Sequence, residues 1–261
     1  MDLTLDHTRE QLDTLRTPQA RPAAEQLLDP EAGTVTIGRT AAGTPAAVPL
    51  WTEHGAVHLG IVGASGAGAS VILAHLWAAE SVSPLVRSWA AGLDQDLDQD
   101  LDDYPGPALD RRACTPDQTR DLLADAARIA RMRFAALSNW PEPYEPTKTE
   151  PLVTVTLTMW ELVRLDPGSM RHVEELAAHG RKGGVSLRFA YRGHYLETLG
   201  GRLHATLSAN TLIALRGGEI GRLLGRTHAA VPADMPGTGY LVSPRTGPAL
   251  FRSWAPHRAA V

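Results

Sequence analysis

A glycine-rich segment between an apolar run and a helical run constrains this chain most. The segment is Gly63, Ala64, Ser65, Gly66, Ala67, Gly68, Ala69 and Ser70. The apolar residues 57–62 before it predict a short buried strand, and residues 71–80 after it predict a helix. In spacing, context and final serine the segment fits the phosphate-binding pattern G-x-x-x-x-G-K-[ST], but Ala69 occupies the lysine position.

Two interpretations of this segment remain open from the loop alone. Glycines allow the backbone to form a nest of N–H groups that faces an anion, and the following helix adds its positive end. Lysine normally neutralises the β- and γ-phosphates, which the methyl group of Ala69 cannot do. The alternative is a tight turn between strand and helix that binds no ligand.

The rest of the chain predicts an α/β protein with a mostly parallel sheet flanked by helices. Residues 34–39 and 46–51 predict a β-hairpin, and Thr115, Pro116 and Gln118 predict a capped helix start. Further strands are predicted at residues 85–90, 153–157, 185–190, 211–215, 240–243 and 249–254, and further helices at residues 122–138 and 173–179.

Composition limits the class of protein. The 261 residues suit one large domain, and 43% hydrophobic with 21% charged residues disfavours wholesale disorder. The single cysteine, Cys114, excludes an intramolecular disulfide and disfavours a cysteine-based zinc site. Because no long apolar stretch or signal-like N-terminus is present, we expect a cytoplasmic protein without a membrane span.

The charge is divided unevenly along the chain. Residues 1–150 contain 12 Lys and Arg against 22 Asp and Glu, whereas residues 151–261 contain 13 against 7. A polyanion such as DNA would therefore meet the C-terminal half. The candidate DNA or partner contacts are Arg181, Lys182, Arg188 and Arg216. The alternative is a dispersed set of solvated arginines, because no aromatic residues interleave with them.

Several segments together resemble one family. Residues 34–39 (TVTIGR) with 46–50, then 57–70, and then 114–126 (CTPDQTRDLLADA) are similar to the motor domain of FtsK/SpoIIIE-type DNA translocases, especially actinobacterial conjugative-plasmid transfer proteins. The likeness continues through residues 151–163, 177–190, 210–216 and 236–241. It implies a RecA-like P-loop NTPase fold over residues 34–254, with an N-terminal extension (1–33) and a C-terminal tail (255–261).

The same resemblance locates departures from the family. The family's Walker B Asp-Glu pair, which holds Mg²⁺ and polarises the attacking water, aligns with Thr158 and Met159. The family's polar sensor aligns with Tyr191 and Arg192. Neither Thr158 nor Met159 can act as a carboxylate. Rescue by Arg181 or Lys182 near a phosphate, and by Glu161 as the acid, stays conceivable.

These departures favour a catalytically degenerate P-loop protein, a pseudo-ATPase with a scaffold, regulatory or partner-binding role. The expected partner is a protein, such as an active FtsK-like paralogue or a second copy, with DNA as a further possibility. We expect no cofactor or weakly bound ATP or ADP, and no Mg²⁺. Two alternatives are a hexameric DNA translocase with residual ATPase activity and a nucleotide sensor that binds without hydrolysis.

Overall fold

Alternating strands and helices build one large sheet in this chain. The computed structural model describes residues 10–91, 109–137, 144–158, 165–191, 210–216, 231–232, 234–243 and 247–255, with only the backbone at Leu137 and Tyr191. The strands are β1 Leu28–Asp29, β2 Thr34–Thr40, β3 Pro45–Pro49, β4 Trp51–Thr52, β5 Gly55–Ala56, β6 Leu59–Val62, β7 Val86–Ala91, β8 Arg111–Ala113, β9 Leu152–Thr158, β10 Val185–Tyr191, β11 Thr211–Leu215, β12 Thr238–Ser243 and β13 Gly247–Ser253. The helices are α1 Ala69–Ser81, α2 Pro116–Leu137 and α3 Pro167–Glu175, with a 3-10 turn at Ala24–Gln26 and a π-helical turn at Leu176–Gly180.

The sheet has a parallel half and an antiparallel half. Six strands run parallel in the order β11, β6, β10, β9, β7, β8. On the β11 side the sheet continues antiparallel through β12, β13 and β2, and β2 pairs with both β1 and β3. The mostly parallel α/β fold and the β2–β3 hairpin are confirmed. β6 lies inside the parallel half, so the loop that follows it emerges at the centre of the sheet.

Each face of the sheet is covered by different helices. Side chains alternate along a strand, so β9 sends Val153, Val155 and Leu157 to the face that α2 and α3 cover. The opposite face packs against α1 through Ile72 and Leu76, which share a core cluster with β2, β3 and β6. Both faces are therefore buried, as expected of parallel strands.

The start of α2 follows its sequence signal. Thr115 Oγ1 accepts a hydrogen bond from the Gln118 backbone N–H at 3.3 Å, and Gln118 Oε1 accepts one from the Cys114 N–H at 2.9 Å. These side chains satisfy backbone donors that a helix N-terminus leaves free. The predicted capped start is confirmed.

The start of α3 differs from the prediction. Apolar periodicity predicts a helix that begins at residue 173, but α3 starts at Pro167. The Asp166 carboxylate accepts hydrogen bonds from the N–H groups of Gly168 and Ser169 at 2.7 and 3.0 Å. Asp followed by Pro is a helix-start signal that the apolar periodicity alone missed, because the first turn carries few apolar residues. None of the described helices is long and apolar enough to cross a membrane.

Candidate functional site

The glycine-rich segment forms a loop at the carboxyl end of β6. β6 ends at Val62, and α1 begins at Ala69. Gly66 and Gly68 have φ angles of +71° and +102°, in the left-handed region that glycine adopts without strain. Such a turn directs consecutive backbone N–H groups toward one side, which is the geometry of an anion-binding nest.

Neighbouring strands fix the position of this loop. The Ala64 N–H donates to the carbonyl of Arg216 at the end of β11, at 2.9 Å. On the other side, the Gly237 N–H donates to the Ala67 carbonyl at 2.8 Å. A Cβ on Gly68 would lie 2.9 Å from the Gly237 nitrogen, so only glycine fits there. The loop is therefore held between β11 and the segment that leads into β12.

The first turn of α1 offers a hydroxyl but no cation. Ala69 is the first residue of α1 and Ser70 the second, and both are half-buried. No side chain caps this helix start. The positive end of the helix dipole lies at the loop, as in phosphate-binding loops. At the lysine position, however, the side chain ends in a methyl group.

Arg216 brings a positive charge to the loop. Its Nη2 donates to the Ser65 carbonyl at 3.5 Å and would lie 3.7 Å from a Cβ on Gly66. The sequence predicts Arg216 as a DNA or partner contact and does not predict this position. The register of β11 beside β6 brings Arg216 to the loop. The signal that could have identified Arg216 is its position directly after β11, a strand that runs parallel to β6.

The Walker B position lies at the same edge of the sheet. β9 ends at Thr158, which pairs with Ala190 of β10, and Ala190 pairs with Ile61 of β6. Thr158 is therefore level with the end of the loop strand, and its side chain is buried. A threonine hydroxyl carries no negative charge with which to hold a divalent ion. Met159 and Glu161 lie outside the described residues.

The sensor position also reaches this edge. Tyr191 is the last residue of β10, and its backbone pairs with Val62. The next residue, Arg192, lies outside the described residues. The predicted loop, Walker B and sensor positions thus converge at the carboxyl ends of β6, β9 and β10.

Arg181 and Lys182 lie at the opposite edge. They precede β10, and the Arg181 carbonyl accepts a hydrogen bond from the Ala56 N–H at 2.9 Å. Arg181 Nε in turn donates to the Ala56 carbonyl at 2.9 Å. Six residues, of which 59–62 form β6, separate Ala56 from Gly63 at the start of the loop, a distance of roughly 20 Å. The rescue of the loop by Arg181 or Lys182 is therefore wrong, because both belong to the amino edge of the parallel strands.

The Arg188 side chain is buried in the core. It is 1% exposed in the middle of β10 and forms an ion pair with Glu80 of α1, which is equally buried. Glu80 Oε2 also accepts hydrogen bonds from the hydroxyls of Ser88 and Thr154, at 2.5 and 3.2 Å. The interpretation of Arg188 as a DNA or partner contact is wrong, because its charge is neutralised inside the core.

Two histidines next to these elements are held neutral. Burial, together with the positive charge of Arg181, lowers the pKa of His58 to about 4, and its Nδ1 accepts the Leu187 N–H at 3.0 Å. Burial also lowers the pKa of His75 to about 4, and its Nε2 lies 3.2 Å from the Trp254 carbonyl. Both are core residues. Among the described residues, no three His, Cys, Asp or Glu side chains assemble into a metal-binding group.

Solved structures share this fold at low sequence identity. The cytoplasmic domain of the Thermomonospora curvata type VII secretion ATPase EccC is 20% identical over 93% of this chain and 28% of its own length, with a TM-score of 0.69. EccC ATPases 2 and 3 of the same organism, in complex with a signal sequence peptide, are 18% identical over 94% of this chain and 44% of theirs, with a TM-score of 0.68. The pCW3 conjugation coupling protein TcpA, a monomer form with ATPγS, is 16% identical over 92% of this chain and 71% of its own, with a TM-score of 0.69.

Sequence comparisons add nothing to this likeness, since no family model and no curated protein matches the chain. The chain spans less than half the length of either EccC structure. At these identities the likeness establishes the fold. The chain shares its fold with a type VII secretion ATPase and a conjugation coupling protein, which agrees with the P-loop NTPase fold expected from the resemblance.

Proposed function

We propose that this chain is a P-loop domain that does not hydrolyse ATP and serves as a partner-binding subunit, with a scaffold or regulatory role. One observation supports the proposal: the glycine-rich loop and the end of β9 reach the same edge of the sheet, where the side chains at the two predicted positions are Ala69 and Thr158. Within the described residues, neither of these positions carries the charged group that an ATPase uses for the terminal phosphate.

The lysine and the carboxylates that an ATPase has at these positions supply a large part of its rate enhancement. A donor or cation that stabilises developing charge contributes about 10²–10³ in rate, and a positioned general base about 10²–10⁴. Arg216 contacts the Ser65 carbonyl, four residues before the lysine position. Ser70 and Thr158 supply two neutral hydroxyls, which do not fit a Mg²⁺ site that requires carboxylate.

A domain of this fold that does not hydrolyse ATP can still bind a partner. The chain spans 28% and 44% of the length of two EccC structures that share its fold. One of those structures holds a signal sequence peptide. We therefore expect a protein partner, either an active domain of the same fold or a second copy, in the cytoplasm. DNA contact through Lys182 and Arg181 is a weaker expectation, because Arg188 is buried and Arg216 lies at the loop.

A second candidate function is nucleotide sensing without hydrolysis. The positive φ angles of Gly66 and Gly68, the start of α1 and the Arg216 guanidinium all favour an anion at the loop. These features fit a phosphate group better than they fit a metal ion. Thermal unfolding with ADP, with ATP and with ATP in the absence of magnesium tests this candidate, because a ligand that binds only the native state raises the apparent stability.

The main proposal is tested by ATP turnover together with the state of assembly. We expect turnover at the buffer background with and without DNA, and sedimentation that shows no hexamer on addition of nucleotide and DNA. A hexamer that forms under those conditions and hydrolyses ATP would support a working translocase and overturn the proposal.

A further inference from the structure

Residues 10–19 lie across the antiparallel half of the sheet as a separate packed segment. Residues 10–14 form a helical turn, and Leu15 directly after it is 6% exposed. The Leu15 side chain packs into a groove, here called the docking groove. Its apolar lining consists of Val231, Met235, Tyr240 and Leu250.

A cation at the end of the docking groove binds the end of this helical turn. Arg252 Nη1 donates to the carbonyl of Leu15 at 2.8 Å and to the carbonyl of Arg16. Carbonyls at a helix C-terminus lack partners within the helix and interact favourably with a positive charge. An apolar side chain of a helical segment that packs into an apolar groove is a recurring mode of recognition. The ion pair between Arg16 and Asp234, at 3.7 Å, is highly exposed and adds little.

The wall of the docking groove continues directly to the glycine-rich loop. Met235 is 2% exposed in the groove, and two residues later the Gly237 N–H donates to the Ala67 carbonyl at 2.8 Å. The Gly237 carbonyl accepts the Ser253 N–H at 2.9 Å. Gly68 leaves no room between the loop and Gly237. A movement of Met235 therefore changes the support of Ala67 and Gly68.

We propose that residues 10–19 are an intramolecular latch: docked in the groove, they hold residues 234–239 against the glycine-rich loop, and their release loosens that loop. The occupant of the groove is the chain's own helical turn around Leu15. At the end of the latch, the Gln19 carbonyl accepts the Ala255 N–H at 2.8 Å, and Ala20, Arg21 and Pro22 connect the latch to the rest of the chain. The inference concerns the resting loop and does not depend on whether nucleotide binds.

Hydrogen exchange of the full-length chain without nucleotide tests the latch. In Leu15→Ala, we expect amides of residues 63–70 and 234–239 to exchange at least about tenfold faster, with α2 unchanged. Thr14→Ala changes an exposed neighbour on the same segment and is the matched control, with no change expected at the loop. A synthetic peptide of residues 8–19, added to the Leu15→Ala variant, should slow hydrogen exchange in the loop again. The same peptide with alanine in place of Leu15 should not.

Two results would overturn the latch. One is full exchange of residues 10–19 in Leu15→Ala with unchanged exchange of residues 63–70. The other is an equal acceleration in α2 and in the loop, which would mean a general loss of stability. If Leu15→Ala does not fold, Arg252→Gln provides the second variant, since it removes two hydrogen bonds to the latch and leaves the apolar lining intact. The same pattern of exchange is expected for it, and the same two results would contradict the proposal.

Discussion

The two ends of helix α1 differ in whether they carry a charged side chain. At its first turn, beside the glycine-rich loop, the side chain at the lysine position is the methyl group of Ala69. Near its last turn, Glu80 is completely buried and forms an ion pair with Arg188. The first turn of α1 therefore carries no charged side chain, whereas its last turn carries a buried ion pair within the core.

The buried network around Glu80 positions α1 in the fold without any part in phosphate chemistry. Glu80 connects α1 to Ser88 of β7, Thr154 of β9 and Arg188 of β10, so one carboxylate fixes the helix against three strands. Such a network is expensive to desolvate and is strongly destabilising when one member is removed. The position of the loop is thus determined by the core at the far end of its helix, independently of phosphate chemistry at the near end.

The largest expected effect comes from breaking the buried pair. Glu80→Gln leaves the Arg188 guanidinium buried without its counter-charge, and we expect a loss of about 3–5 kcal/mol in the free energy of unfolding. The matched control is Glu175→Gln, which breaks the partly exposed pair with Arg131 at 2.6 Å and should cost less than about 1 kcal/mol. Urea denaturation measures both. Equal losses in the two variants would show that the network at the end of α1 is not special.

The next effect concerns acid pH. His58 and His75 have pKa values of about 4 in the folded chain, below the ordinary value of 6.5, because both are buried. Between pH 6.5 and pH 4 the unfolded chain binds more protons, so stability is complete above pH 6.5 and falls as the pH decreases through this window. The displacement corresponds to about 3 kcal/mol for each histidine at most.

Urea denaturation at pH 7 and at pH 4.5 measures this loss. His75→Gln retains a side-chain donor for the Trp254 carbonyl and removes the titrating group, so the pH dependence should fall by about half. A pH dependence that is the same in His75→Gln as in the original chain would contradict the assignment.

At the loop end of α1, glycine substitutions should differ from each other. Gly68→Ala forces a side chain into a backbone with φ +102° and against Gly237, and we expect a loss of about 2 kcal/mol or more in the free energy of unfolding. Gly66→Ala meets only the Arg216 side chain and should lose about 1–2 kcal/mol from its positive φ alone. Thermal or chemical unfolding compares them. A larger loss in Gly66→Ala would contradict the position of Gly237 against the loop.

The smallest expected effect on the fold comes from restoring the missing cation. Ala69→Lys places an ammonium group at the start of α1 and should tighten ATP or ADP binding by about tenfold, or about 1.4 kcal/mol, with little change in stability without nucleotide. Calorimetric titration measures the affinity. Ala69→Met adds length without charge and is the control. Equal affinity in the lysine and methionine variants would mean that the loop does not present its N–H groups to a phosphate.

Local sequence signals predicted much of this structure. The strand, loop and helix from residue 57 to residue 80 appear as β6, the glycine-rich loop and α1, and the capping residues Thr115 and Gln118 start α2 as expected. Each of these features depends on neighbours within a few residues. The convergence of residues 70 and 158 required the family resemblance as well, because parallel strands bring together residues that are far apart in the sequence.

Contacts between distant segments could not be predicted in this way. Arg188 was interpreted as a surface residue because its partner Glu80 lies 108 positions away, on a helix whose packing the periodicity does not reveal. Rescue of the loop by Arg181 or Lys182 stays conceivable from the sequence, because no local signal gives their distance from residues 63–70. The contact of Gly237 with Ala67 depends on the antiparallel half of the sheet, whose pairing order has no local signal.

ATP turnover by the original chain and by Ser70→Ala, at saturating magnesium and nucleotide and with and without DNA, tests the central claim most directly. Ser70 is the remaining hydroxyl at the first turn of α1, and Ser83→Ala, beyond the C-terminal end of the same helix, controls for the substitution itself. We predict equal background rates in all three proteins. A rate in the original chain that Ser70→Ala lowers tenfold or more, with Ser83→Ala unaffected, would contradict the account.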